Sequence, residues 1–352
     1  MTTILYVILA IFVFGLLIFI HEGGHFLFAR LFNVSVKEFA IGMGPKLISK
    51  TSKKSGIAYS LRAFPIGGFV SMVGEDEESD DPNALNKKPV WQRIIIVAAG
   101  AVTNLVVGFL VMAVLVFSAD ALGSNTVSVK EDTVSYQVGL RDKDTVTKID
   151  NSRIHTMDQL VYQIARRGVS PIDITVTRGG ETVVLNDVQF TTYTEQGVTL
   201  AAADFKVYAE NLTPENGFFN NVGTRIKHTY YRAINTVTLI WESLFDLVTG
   251  KYSMEAVSGP IGVTEAMVET AHTYGAEEFI NLAVTISMNL GIMNLLPFPA
   301  LDGGRLVFLI IEAIRRKPVK PEVEGYVHFA GIVLLMLFMI FICTKDVIGL
   351  FR

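Results

Sequence analysis

The chain has 352 residues, of which only 18% are charged, and its mean hydropathy is +0.42. This composition excludes an ordinary soluble globular domain and places the chain among membrane proteins. The formal net charge of −4 is small and spread over both signs, which excludes the basic footprint of a nucleic-acid binder. The one cysteine, Cys343, excludes an intrachain disulfide and leaves the redox compartment unread.

A spanning helix needs about 20 mostly apolar residues. Four stretches qualify: about 4–28, 94–117, 279–296 and 327–343. The first lacks a basic leader and an A-x-A-like cleavage site, so it is expected to stay as a helix. It closes on "FIHEGGHF", residues 19–26. On a helix His21 and His25 stand one turn apart on one face with Glu22 beside them, the spacing with which two imidazoles reach one cation. A satisfied polar cluster between helices is the bland alternative. Ionisable groups within a span are costly and functional by default, which favours the metal reading.

Residues 56–75, "GIAYSLRAFPIGGFVSMVGE", read as a β-hairpin in which Pro65 and the paired glycines separate two strand-like runs. Phe64, Ile66, Phe69, Val70, Met72 and Val73 are too apolar for a plain surface hairpin. The acidic run at 75–81 reads as a solvated linker. After the second span the character changes. Residues 123–205 carry β-branched runs around "TMDQLVYQIARRG", a short helix with Leu160 and Ile164 inward and Gly168 as its stop, and so predict a small α+β domain. Within 213–262, apolar residues from Val222 to Val248 recur at helical spacing. They predict an amphipathic helix, lying either on the membrane surface or on the α+β domain.

The third span leads into "NLLPFPALDGGRL". A catalytic zinc takes three protein ligands and keeps one open position. His155, His228 and His272 fall in the segment outside the spans, His328 has no partner nearby in sequence, and Glu38 lies in a basic stretch. Asp302 is the best third ligand, because it closes an apolar span in a Pro- and Gly-rich setting tolerated at membrane depth only around an interior cavity. Taken alone, Asp302 reads better as an N-cap for a helix starting at Gly303. Lys and Arg crowd the connections between the first and second spans and between the third and fourth. Both connections are therefore expected on the cytoplasmic side, with the termini and the long middle segment outside.

Taken together, "HEGGHF", "PIGGFVSM", "NKKPVWQR", "AAGAVTN", "VSGPIG" and "MNLGIMNLLPFPALDGGRL" resemble the site-2 protease family of intramembrane zinc metalloproteases. The closest likeness is to its bacterial regulators of sigma-factor signalling. The segment "VGLRDKDTVTKIDNSRI" resembles a PDZ domain of the bacterial protease type, with Lys143 where that pattern usually has glycine. Ala101 likewise stands where the family usually has proline.

The resemblance implies an α-helical polytopic membrane protein of four transmembrane helices, with a membrane-associated β-hairpin and an inserted α+β PDZ domain. Its expected parts are a first core half at 1–117, a PDZ-like domain at 123–205, a juxtamembrane segment at 213–262 and a second core half at 279–352. It implies Zn²⁺ held by His21, His25 and Asp302, with Glu22 as catalytic base. Gly67, Gly68 and Phe69 of the hairpin, and Asn294, would contact substrate. Asn289 reads better as a tie between two helices. The implied substrates are single-span membrane proteins of the anti-sigma-factor type and signal-peptide remnants in a bacterial plasma membrane, and a monomer suffices. A zinc-binding transporter or a non-catalytic PDZ scaffold is the alternative, and neither needs Glu22.

Overall fold

The computed structural model describes residues 2–75, 77–195, 197–213 and 217–349. Asp76 of the acidic run, residues 214–216 of the juxtamembrane segment, residues 350–352 and the side chains of Phe64, Pro65 and Ile66 lie outside them. The chain divides into two compact units, one of residues 1–108 and 258–352, the other of 109–257.

In the first unit, α1 (Thr2–Leu31) is followed by β1 (Val36–Thr51) and β2 (Ala58–Met72). The two strands pair with each other, so the expected hairpin of 56–75 turning at PIGG is corrected. The reversal lies instead in the polar loop before β2, where Ser52 N–H bonds Ile57 O at 2.9 Å and Gly56 N–H bonds Ser52 O at 2.8 Å. Gly67, with φ at +88°, bends β2 without turning it back. Both strands bend so far that each contributes two runs. Residues 48–51 pair with 58–61, while residues 38–41 pair with 58–61 on one side and 68–71 on the other. Residues 68–72 therefore form one rim of the sheet.

Glu38 binds these runs together. It accepts from Ser60 Oγ, lies 2.9 Å from Lys46 Nζ and 2.9 Å from Arg62 Nη2. Burial pushes its carboxyl up, but the bonds from Ser60, Lys46 and Arg62 outweigh this and hold it down at about 2. A depressed folded-state pKa gives stability that is present above the unfolded value near 4.5 and is lost as pH falls towards about 2. Glu38→Gln is expected to cost about 1–2 kcal/mol at neutral pH, with the penalty shrinking as pH falls below about 4.5 and vanishing only at about pH 2. Thermal unfolding at pH 7 and pH 3 measures it; an equal penalty at both would refute the account.

The helix α2 (Val90–Ser118) begins in the first unit and ends in the second. The second unit continues with β3 (Ala121–Ser128), α3 (Val134–Gln137), β4 (Thr145–Ile149), β5 (Ser152–Arg153), α4 (Met157–Arg167), β6 (Ile172–Arg178), β7 (Glu181–Val188), β8 (Thr191–Glu195), β9 (Val198–Ala202), β10 (Lys206–Asn211) and α5 (Phe218–Val248). Strands run β10-β3-β4-β6-β7, with β5 on β4, and β8 pairs with β9 apart from them. Leu140, Ile149, Leu160, Ile164 and Ile174 are fully buried at its core. Asp144, wholly buried, is held by Arg178 at 2.7 and 2.8 Å.

Lys143 adopts φ of +67°, the left-handed conformation that suits glycine. Relief of that cost, less the entropy of glycine, predicts that Lys143→Gly raises stability by up to about 1 kcal/mol. A fall of the unfolding midpoint in that variant would contradict the assignment of strain.

Helix α5 meets the rest of its unit through its polar side. Arg166 of α4 lies 3.1 Å from Glu242 and 2.9 Å from Asp246, Tyr162 donates to Glu242 at 2.6 Å, and His155 stacks on Tyr231 at 4.0 Å. The two placements expected for this helix are thus not exclusive. Charged residues dock it, which leaves Ile226, Tyr230, Val237, Trp241, Phe245 and Val248 exposed.

The first unit resumes with α6 (Pro260–Thr273), absent from the expected elements, then α7 (Ala276–Leu295), α8 (Asp302–Arg315) and α9 (Pro321–Gly349). Asp346 Oδ2 of α9 accepts the amides of Gly259 at 3.0 Å and Gly262 at 2.9 Å, capping α6 from a distant part of the chain. Among the described residues four helices are long and apolar enough to cross a membrane: Ile4–Leu31, Val90–Ser118, Ala276–Leu295 and Glu322–Gly349. Ile4, Phe12, Val114, Leu337 and Phe341 are exposed on them, as lipid-facing side chains would be. The chain is a mostly helical membrane protein with some β-sheet.

Candidate active site

The site forms where α1, α2 and the start of α8 meet. Helices α1 and α2 run antiparallel: Phe32 packs on Trp91, and His25 Nδ1 lies 2.9 Å from the carbonyl of Ile96. That carbonyl can only accept, so the imidazole proton sits on Nδ1 and the Nε2 lone pair is free. His25 Nε2 lies 3.3 Å from His21 Nε2, and Asp302 Oδ2 lies 3.2 Å from each. His21 and His25 are buried.

His21, whose Nδ1 has no hydrogen-bond partner among the described residues, can present its Nε2 lone pair likewise, so that with Oδ2 of Asp302, which also has none, three electron-rich atoms face one another. Without a cation between them this arrangement repels. Ligands about 2.0–2.1 Å from a tetrahedral zinc stand about 3.3–3.4 Å apart, so the triangle fits that ion. Among the described residues these three are a group of His and acidic side chains close enough together to share a metal. Asp302 is the first residue of α8, and Leu301 holds the cap position with no side-chain bond. The N-cap alternative for Asp302 does not form: its carboxylate faces the histidines.

Close backbone approach makes room for the triangle. A Cβ on Gly100 of α2 would stand 2.2 Å from His25 Nε2. One on Gly24 would meet Ala99 O and Thr103 Oγ1 at 2.5 Å, whereas one on Gly23 would meet nothing within 4 Å. The two glycines of the motif therefore differ: Gly24 seats α1 on α2, and Gly23 has open space. Ala101 is buried within an unbroken α2, so the absence of proline there leaves the helix intact.

Glu22 is half-buried, within electrostatic reach of His21, His25 and Asp302. A Cβ on Gly68 would come within 3.2 Å of its Cγ and 2.9 Å of Ala40 O. The rim of the sheet at 68–72 accordingly runs past Glu22. Gly67 precedes it with its bend, and Phe69 lies under the Arg62 guanidinium at 4.7 Å. Phe19, Gly23, Phe26, Phe39, Ile41 and Tyr59 line an apolar groove of about 470 Å³ between α1 and the sheet.

Asn294 is half-buried on the last turn of α7. Asn289 is exposed, so it does not tie two helices as expected. Glu38 is tied within the sheet and is no ligand. Glu75, expected in a solvated linker, instead accepts from Arg305 of α8 and from Met72 N–H. Sequence reasoning also missed Gly100 and the carbonyl of Ile96. The signal for Gly100 was present in "AAGAVTN", but its partner lies 75 positions away.

The profile of peptidase family M50 matches residues 9–338. The chain is 35% identical over 348 residues to a protein of Clostridium acetobutylicum that carries a provisional zinc-metalloprotease name, with 97% of each chain covered. It is 29% identical over 431 residues to the regulator of sigma-W protease RasP of Bacillus subtilis, covering 98% of this chain and 99% of that one. It is 29% identical over 436 residues to the zinc metalloprotease RasP of Oceanobacillus iheyensis, with both chains covered completely. Ligand geometry and whole-length similarity thus agree: the chain belongs to peptidase family M50, the site-2 proteases, and is an intramembrane zinc metalloprotease.

Proposed function

We propose that His21, His25 and Asp302 hold the zinc and that Glu22 is the catalytic base, cutting peptide bonds within transmembrane segments in regulated intramembrane proteolysis. The observation that carries this reading is the triangle of two imidazole nitrogens and one carboxylate oxygen at 3.2–3.3 Å beside Glu22. Bound zinc supplies a Lewis acid for the substrate carbonyl and brings the pKa of a coordinated water towards about 7. Glu22 takes a proton from the attacking water and returns it to the leaving amine. A helical substrate offers no free backbone groups, so its segment must unwind. The rim at Gly67, Gly68 and Phe69 then adds it as a further strand, gripping backbone rather than side chains. Asn294 contacts the substrate from the end of α7.

The substrates are single-span membrane proteins, anti-sigma factors and remnants of signal peptides among them. Supporting this is the likeness to a protein named as a regulator of sigma-W protease. The membrane core comprises 1–117 and 279–352. Residues 123–205 form a PDZ domain on the outer side of a bacterial plasma membrane, with both termini outside and the site near the cytoplasmic face. The apolar side of α5, within 213–262, rests on the outer surface of the bilayer. The PDZ domain excludes substrates with bulky outer parts.

The test is cleavage of a single-span substrate, truncated outside, by purified protein in detergent. Protein stripped of metal is expected to be inactive and zinc to restore it, with mass spectrometry locating the cut inside the span. A cut confined to the flanks, or full activity without metal, overturns the reading.

A further inference from the structure

The loop of residues 296–301 that delivers Asp302 has an unusual hydrogen-bond account. Pro297 and Pro299 have no N–H to offer. The amide of Phe298 bonds Leu296 O at 2.7 Å, and that of Leu301 bonds Phe298 O at 3.2 Å. The amide of Leu296 turns back to Met293 O at 3.1 Å, and the last amide, that of Ala300, leaves this stretch of chain altogether and donates to Nδ1 of His328 on α9 at 3.1 Å. An amide N–H only donates, so Nδ1 must be unprotonated and the ring proton sits on Nε2. Glu324 Oε1, one turn earlier on α9, lies 3.9 Å from Nε2, on the side where that proton is carried. Phe308 of α8 packs on the imidazole at 5.9 Å between ring centroids.

Ala300 itself has φ of +75°, a conformation an L-residue keeps only where its surroundings hold it. The fit of α9 to this loop is close: a Cβ on Gly331, one turn beyond His328, would stand 2.5 Å from Pro299 Cβ. His328 thus grips the strained residue two positions before the carboxylate ligand, and touches the helix that the ligand begins.

We infer that His328 is a positioning residue of the zinc site: its Nδ1, by holding the Ala300 amide, fixes the 296–301 loop so that Asp302 reaches His21 and His25. The inference rests on the ligand set proposed above. It assigns a role to a histidine outside the motif, on a helix with no ligand of its own. Substitution of a residue that orients a ligand typically costs about 10–100-fold in metal affinity.

The experiment compares zinc affinity of the full chain in detergent, by competition with a chelating dye, for wild type, His328→Leu, His328→Asn and Asp302→Ala. Visible spectra of the cobalt-loaded proteins report ligand geometry. His328→Leu is expected to weaken zinc binding about 10–100-fold and to alter the cobalt spectrum. His328→Asn, whose Oδ1 can take the place of Nδ1, should restore both. Unfolding of the metal-free proteins separates positioning from packing: the midpoint of His328→Leu should stay near wild type. The inference is overturned if His328→Leu binds zinc as wild type does while Asp302→Ala does not. It also falls if His328→Asn is no better than Leu, or if the metal-free protein loses as much stability as the loaded one. If Asp302→Ala itself keeps wild-type affinity, the ligand set is at fault and the role of His328 falls with it.

Discussion

Glu22→Gln is expected to keep its zinc and lose its activity. Glutamine has the shape of glutamate but cannot accept the proton of the attacking water, and general-base catalysis contributes typically about 10²–10⁴-fold. The residue stands beside the two histidines on α1, next to the sheet rim at Gly68, and is tied into no salt bridge among the described residues. Its replacement should therefore leave the fold and the metal site in place. Metal analysis and single-turnover cleavage of a truncated single-span substrate measure the two effects separately. Cleavage within threefold of wild type would show that Glu22 is not the base and that another group takes the proton.

The second large effect is expected at a residue with no side chain. Gly100→Ala puts a methyl group 2.2 Å from the metal-facing nitrogen of His25, far inside contact distance. Because His25 is also tied to Ile96 O by its other nitrogen, the ring cannot retreat without breaking that bond. A displacement of about 1 Å in such a site costs on the order of 100-fold, so zinc affinity and cleavage should both fall at least that far. Gly23→Ala supplies the contrast. It meets nothing within 4 Å and removes a helix-interior glycine, so it should gain up to about 1 kcal/mol in stability at unchanged zinc affinity. Dye competition and thermal unfolding on both variants decide the matter. Equal zinc affinity in Gly100→Ala and wild type would show that α2 does not wall the site as described.

Much of this was open to a reading of residues alone, and the reasons are local. The four spans follow from apolar runs, since about 20 such residues can only be a crossing helix or a deeply buried one. The first two proposed ligands and the proposed base follow from the 3.6-residue period of a helix, which sets His21 and His25 on one face. Helix α4, with Leu160 and Ile164 inward and its stop at Gly168, follows from the same period. Asp302 could be singled out only from the two motifs taken together, because taken alone its N-cap alternative was equally local; its carboxylate stands beside the histidines.

What the tertiary structure alone decided lies in pairings between distant residues. The turn of the sheet was misplaced because Gly67 and Gly68 carry a turn signature, while the partner of β2 lies upstream in β1, a stretch whose basic residues suggested solvent. Glu38 and Glu75 looked solvated, and became fixed only when Arg62, Lys46 and Arg305 were brought against them. The polar side of α5 turned out to be its docking face because Arg166 waits for it on α4. Gly100 lies in a motif that does not name its partner, and His328 lies in none. Their roles come from the atoms packed against them, His25 Nε2 in one case and the Ala300 amide in the other. Periodicity along one helix is written in neighbouring residues. The closeness of two helices, and the one donor in a proline-rich loop that must find its acceptor elsewhere, exist only once the chain has folded.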